Sequence, residues 1–169
     1  MATEILEALR QRRSRREFAP DPVAMEELEE IIRAGIWAPS GLNNQPWRFV
    51  IITHDKTRAE LATTTHYSHI VAGAPALIAV YLDRRAMYDE IKDQQAAGAC
   101  IQNMLLATEA LGLGAVWLGQ ILKEKERVNE ILGLTTDYEL AAVLAIGQPL
   151  HRDQQSNRKD LANFILKRI

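Results

Sequence analysis

At 169 residues, 47% apolar and 25% charged, the chain has the size and apolar content of one globular domain with a substantial core. A formal charge of −2 argues against a general nucleic-acid-binding surface, and the lone Cys100 excludes an intrachain disulfide and points to a reducing compartment. The first residues lack a basic-then-apolar leader and no apolar run reaches the roughly 18 residues of a membrane span, so a cytoplasmic protein that spans no membrane is expected.

The elements follow in chain order. Thr3 can cap a first helix with Ile5, Leu6 and Leu9 on one stripe. Asp21-Pro22 opens a second, with Met25, Leu28, Ile31 and Ile32 inward and Gly35 as a stop. Trp47 to Thr53 reads as a strand, Asp55 to about Leu61 as a short helix, and the apolar run Ala74 to Leu82 as a buried strand. Asp89 to Leu111 is the longest helical pattern; Ala96, Ala99, Cys100, Asn103, Met104, Ala107 and Ala110 share a small-residue face that lets another helix approach, and Gly112 ends it. A short strand at Ala115–Leu118, a helix from Lys123 to Leu132 stopped by Gly133, and a strand from Tyr138 to Ile146 complete an α-α-β-α-β-α-β-α-β order. That order implies one layered domain over 1–169, with helices around a central sheet. Cys100, Trp37 and Trp117 are expected in the core.

Two segments carry chemistry. Arg12, Arg13, Ser14 and Arg16 present planar guanidinium forks and a hydroxyl, the donors a phosphate requires. A solvated helix end would use the same residues; a nucleic-acid patch is disfavoured by the acidic net charge and the lack of interleaved aromatics. Downstream, Pro39 and Pro46 bracket Ser40-Gly41-Leu42-Asn43-Asn44-Gln45. Gly41 permits close approach or positive φ, while Asn43 and Gln45 both donate and accept, matching the edge of a flat heterocycle that alternates carbonyls with an N–H. A connection whose amides satisfy only turn backbone fits the same pattern.

The run Ala-Pro-Ser-x-x-Asn-x-Gln-Pro-Trp-x-Phe from Ala38 to Phe49 resembles the signature of the nitroreductase family. The resemblance continues through Ala74-Pro75-Ala76-Leu77-Ile78, Ala99 to Leu106, Ala110 to Gly119, Ile131 to Leu134 and Ala145 to Pro149, in the family's order along nearly the whole chain. It implies a three-layer α+β fold, a central mixed or antiparallel sheet flanked by helices, working as an intertwined homodimer with flavin mononucleotide (FMN). It places Arg12, Arg13, Ser14 and Arg16 at the phosphate and ribityl segment. Pro39, Ser40, Gly41 and Asn43 fall in the turn that meets the flavin from the partner subunit, with Gln45 a weaker ligand. Leu118 and Gly119 match the loop near the ring, and Arg158, less favourably Lys159, matches a tail residue returning to the phosphate. Residues 160–169 become an arm crossing to the other subunit.

The implied activity is electron transfer from NAD(P)H to nitroaromatics, quinones or similar small acceptors by a ping-pong mechanism, with the chemistry on FMN and no catalytic side chain. Specialised relatives that cleave flavin, dehalogenate or oxidise a heterocycle, and a non-catalytic flavin binder, are the alternatives. His66 and His69 have the spacing of two ligands on one helical face, but nearby carboxylates are lacking and Thr63-Thr64-Thr65 is a poor helix context. No metal is expected; His66, Tyr67 and His69 read as a loop lining the substrate entrance. Relative to larger family members the chain is short between Ile52 and Ala74 and between Leu82 and Gln95.

Overall fold

The backbone of Ala76–Asp83 (β2) is buried at every position because strands lie on both sides of it and helices on both faces. The computed structural model describes residues 2–169, with side chains from Glu4 onward. Its sheet has the order β1-β2-β4-β3, where β1 is Trp47–Ile52, β3 Gly114–Leu118 and β4 Tyr138–Gly147, every pairing antiparallel. On one face Ile78 and Val80 of β2 and Ala142, Leu144 and Ile146 of β4 pack under α2 (Met25–Ile36) and α5 (Glu90–Ala110). On the other, Leu77, Ala79, Val143 and Ala145 pack under α3 (Asp55–Ala62), α4 (Ser68–Gly73) and α6 (Lys125–Leu132). This is the expected three-layer α+β arrangement, with the sheet antiparallel throughout. Alternating residues of β2 serve the two cores in turn, each fully buried aliphatic contributing about 1.5–3 kcal/mol.

Several boundaries differ from expectation for identifiable reasons. The first helix, α1 (Ala2–Gln11), already includes Thr3, so the expected cap lies inside it; that side chain falls outside the described residues. α2 begins at Met25, after Asp21-Pro22, with Glu27 accepting the Ala24 N–H at 3.2 Å. Gly35 does not stop α2 but sits within its last turn, where an added Cβ would lie 2.7 Å from Met104 Cγ and 3.0 Å from Cys100 Sγ. The glycine and the small face of α5 together let the two helices touch. α5 itself is capped by Asp89, whose carboxylate accepts the Lys92 N–H at 2.9 Å. The expected Lys123–Leu132 helix is a 3₁₀ turn over Gln120–Glu124 followed by α6, which ends at Gly133 with φ 68°. α4 was not anticipated; its six residues are too few for a periodic signal.

Cys100 is buried, and burial pushes its thiol up to about 12. Trp37 and Trp117 are not core: they are 86% and 42% exposed. Trp37 lies just past the end of α2, and Trp117 alternates along β3 with the buried Val116 and Leu118. Ile5, Leu6 and Leu9 of α1 and Leu161, Phe164 and Ile169 of the tail are likewise exposed. Among the described residues no helix is long and apolar enough to cross a membrane.

The outer edge of β3 receives the basic run. Ser14 bridges Ala115 in parallel, and the Arg15 N–H donates to the Ala115 carbonyl at 2.9 Å. Gly114 makes room for this: a Cβ there would stand 2.8 Å from Arg15 Cγ, 2.9 Å from Arg15 Cβ and 3.0 Å from Pro149 Cβ. Gly114→Ala is therefore expected to destabilise the fold by about 1–3 kcal/mol through overpacking, read as a lower urea midpoint at unchanged slope.

Candidate functional site

Once residues 14–15 are zipped to β3, the neighbouring side chains are sorted. Arg15 turns inward and is 3% exposed, its Nη1 donating to the His151 carbonyl at 3.1 Å and to Gln154 Oε1 at 3.4 Å, with Glu109 of α5 4.0 Å from Nη2. Arg13 is committed to backbone: Nε donates to the Gln154 carbonyl at 3.1 Å and Nη1 to the Arg12 carbonyl at 2.8 Å. These bonds bring the tail back across the basic run. The result is a cavity of about 320 Å³ lined by Arg12, Arg13, Ser14, Arg16, Arg158 and the 154–156 segment. Lys159 is not part of its lining.

The electrostatics of this cavity favour an anion. Burial lowers the Arg12 pKa from its ordinary value, and the charges of Arg158 and then Arg13 lower it further; Glu109 opposes them. Arg16 is exposed, its Nη1 3.3 Å from the Ser14 carbonyl, and among the described residues Arg158 bonds to Ser156 and Asn157 beside it. A dianion placed here would relieve the repulsion between these guanidinium groups.

The Pro39–Pro46 turn is held differently. Leu42, Asn43 and Gln45 have φ of 55°, 54° and 46°, a region costly for a side chain with Cβ. Gly41 is not among them; its role is close approach, since a Cβ would lie 1.8 Å from the Tyr88 hydroxyl. Ser40 Oγ accepts the Gln45 N–H at 3.1 Å, and Gln45 Nε2 donates to the Asn43 carbonyl at 3.1 Å. Asn44, which carries no distinguishing signal in the sequence, is the anchor: Nδ2 donates to Asp93 Oδ1 at 2.7 Å and to the Ala86 carbonyl at 3.0 Å. Asp93 is fully buried, and its Oδ2 accepts the N–H groups of Tyr88 at 2.9 Å and Asp89 at 3.0 Å. Burial works against its charge, but the Asp89 amide, the Asn44 side chain, the Tyr88 amide and Lys92 outweigh it and hold the carboxyl below its ordinary range.

The turn borders a groove of about 300 Å³ in which Pro39, Ser40 and Gly41 face Tyr88, Lys92 and Ala99. Lys92 Nζ lies 5.3 Å from the centre of the Tyr88 ring. The turn does not line the arginine cavity, so the two features lie apart in one chain. A third group gathers at the end of β3. Gly119 is exposed with nothing within 4 Å of an added Cβ, and Leu118 is buried beside it. The next residue, Gln120, accepts from Thr65 Oγ1 at 2.6 Å and from the His66 N–H at 2.9 Å. The His66 backbone is thereby tied beside Gly119, and His66, Tyr67 and His69 are all exposed; among the described residues no three metal-ligating side chains cluster. Neither Asn44–Asp93 nor Gln120–Thr65 had a local sequence signal, because each joins residues 49 or 55 positions apart.

Comparison with known proteins finds likenesses along nearly the whole chain. The model of the nitroreductase family matches residues 9–66 and 59–148. A crystal structure from Desulfovibrio desulfuricans, called a nitroreductase and in complex with FMN, is 48% identical with a TM-score of 0.93, covering 98% of this chain and 96% of that one. The NADH dehydrogenase of Thermus thermophilus is 31% identical, covering 93% of this chain and 92% of that one. NADPH:FMN oxidoreductase from Vibrio harveyi, complexed with NAD+, is 26% identical with a TM-score of 0.87, covering 96% of this chain and 76% of that one.

Asp93 supplies a test of the turn. Removing its carboxylate strands the Asn44 amide and two backbone donors, so Asp93→Ala should cost about 3 kcal/mol at neutral pH. Since the folded carboxyl is held below its unfolded value, its contribution is fully present above about pH 4 and is lost as pH falls through the depressed folded value. Denaturant titrations at a series of pH values should show the gap between wild type and variant closing in acid and only there.

Proposed function

This chain belongs to the nitroreductase family, and on that premise we propose that it is an FMN-dependent oxidoreductase that passes electrons from NAD(P)H to electron-poor acceptors such as nitroaromatics and quinones. The observation that carries this reading is the convergence of Arg12, Arg13, Ser14, Arg16 and Arg158 on one cavity with a depressed Arg12 pKa. The donor set fits a phosphate monoester: guanidinium forks for the oxygens, a short hydroxyl, and charge repulsion that the anion relieves. When bound, FMN supplies the two-electron exchange, first with NAD(P)H and then with an acceptor in the same space, which gives ping-pong kinetics.

The chain's own residues bind and orient. Arg12, Arg16 and Arg158 hold the phosphate, with Ser14 beside them and Arg13 fixing the tail that closes the cavity. Leu118 and Gly119 offer backbone and open space to the ring, and His66, Tyr67 and His69 shape the acceptor side. Pro39, Ser40, Gly41, Asn43 and Gln45 reach the flavin of a second copy, which accounts for two half-sites that lie apart in one chain. No side chain needs to act as general acid or base. The protein works in the cytoplasm on small molecules, without nucleic-acid or membrane partners.

The visible spectrum of the purified or FMN-reconstituted protein, followed by anaerobic NADH or NADPH, tests this directly: a yellow protein that bleaches and is reoxidised by several quinones and nitroaromatics is expected. Arg16→Ala should weaken FMN binding by about 1.5–3 kcal/mol, the value of a hydrogen bond to a charged group. An unchanged dissociation constant removes Arg16 from the site.

We further infer a homodimer over a single domain of 1–169. Exposed Trp37, Leu161 and Phe164 leave apolar surface that a lone chain would not keep bare. β1 is an open sheet edge, bordered by a cavity of about 210 Å³ lined by Arg48, Phe49, Val50, Tyr81, Leu134 and Tyr138, suited to an added strand. The apolar arm of 160–169 from a second copy is the proposed occupant. Deleting 160–169 should yield a monomer that has lost its flavin, by light scattering and absorbance; a truncated protein still dimeric and yellow would show the arm dispensable.

A further inference from the structure

Gln120 ties the end of β3 to the stretch between α3 and α4 through side-chain hydrogen bonds. It opens the 3₁₀ turn directly after Gly119, at the end of β3. Its Oε1 accepts two hydrogen bonds, from Thr65 Oγ1 at 2.6 Å and from the His66 N–H at 2.9 Å. Because a backbone N–H can only donate, the orientation of the Gln120 amide is determined: the oxygen faces the 65–66 segment. The segment's other side-chain bonds are internal or local. Thr63 and Thr64 bond back to Glu60 and Leu61 carbonyls of α3, and Thr65 Oγ1 also accepts the Tyr67 N–H at 3.2 Å. α4 begins at Ser68 with no side-chain cap from Tyr67. The stretch between α3 and α4 therefore takes its position relative to Gly119 from the Gln120 carbonyl, with Leu61, Ile70 and Ile121 packed beneath in the same core.

We propose that Gln120 is a positioning residue for the acceptor side of the site, holding the shoulder that carries His66 and Tyr67 at a set distance from Gly119. The proposal rests on the flavin reading above. It assigns acceptor fit to a side chain that touches neither phosphate nor turn, and it separates acceptor recognition from cofactor affinity. Gln120→Ala removes the shared acceptor. Gln120→Glu keeps an oxygen able to take both bonds, so it is the rescuing variant. Thr65→Val removes one of the two donors and leaves the Gln120 side chain intact.

Hydrogen exchange at the His66 amide in the flavin-free protein reads the tie without turnover. Exchange is expected to rise about three- to tenfold in Gln120→Ala, as for one lost hydrogen bond, and to return to the wild-type rate in Gln120→Glu. In the FMN-loaded protein, Gln120→Ala should raise the KM for menadione and nitrofurazone by a similar factor. The FMN dissociation constant should stay within about twofold, and Thr65→Val should fall between wild type and Gln120→Ala. Unchanged acceptor KM in Gln120→Ala with altered His66 exchange, or failure of Gln120→Glu to restore both, overturns the proposal. A wild-type chain that binds no FMN would sink the flavin reading instead. In that case unchanged His66 exchange in Gln120→Ala overturns the tie itself.

Discussion

Arg15 is buried where the basic run meets β3, its amide bonded to Ala115 and its guanidinium lodged under the returning tail. A charged group in that position is costly unless its donors are used, and its Nε still lacks a partner among the described residues. Its burial settles the orientation of everything around it. With Arg15 turned inward, extended backbone sends Ser14 and Arg16 the other way. With His151 and Gln154 held, the 154–158 segment returns over Arg12 and Arg13. The cavity for an anion is thus a by-product of how one arginine is packed, and Gly114 is the concession β3 makes to it.

The turn after α2 is governed by the opposite charge. Asp93 spends both oxygens on three donors, and through them fixes Asn44, the start of α5 and the loop carrying Tyr88. Three residues at positive φ are tolerated because Asn44 and Pro46 are tied at one end and Ser40 grips Gln45 at the other. Strain there is supported by the core, which keeps the outward-facing Asn43 and Gln45 in one arrangement.

Much of this was legible because it is contiguous. The basic run, the proline-bounded turn, and the two central strands each announce themselves within a dozen residues. What escaped was whatever depends on partners far along the chain. Arg15 looks like its neighbours until the tail folds back. Asn44 is indistinguishable from Asn43 until Asp93 is beside it. Gly35 reads as a helix stop, yet its use is the approach of Met104 and Cys100. Trp37 and Trp117 show a further limit: a large apolar side chain favours burial on average, yet a single residue's place at a helix end or on an edge strand decides its exposure.

The arginine cavity has a consequence beyond equilibrium binding. The chain as a whole carries a charge of −2, yet Arg12, Arg13, Arg16 and Arg158 gather around one opening. That clustering makes a local positive field that acts on a nearby anion despite the chain's net charge, with a reach of about one Debye length, roughly 8 Å at physiological ionic strength. Such attraction is screened by salt, so added electrolyte weakens the pull of this opening on any small anion.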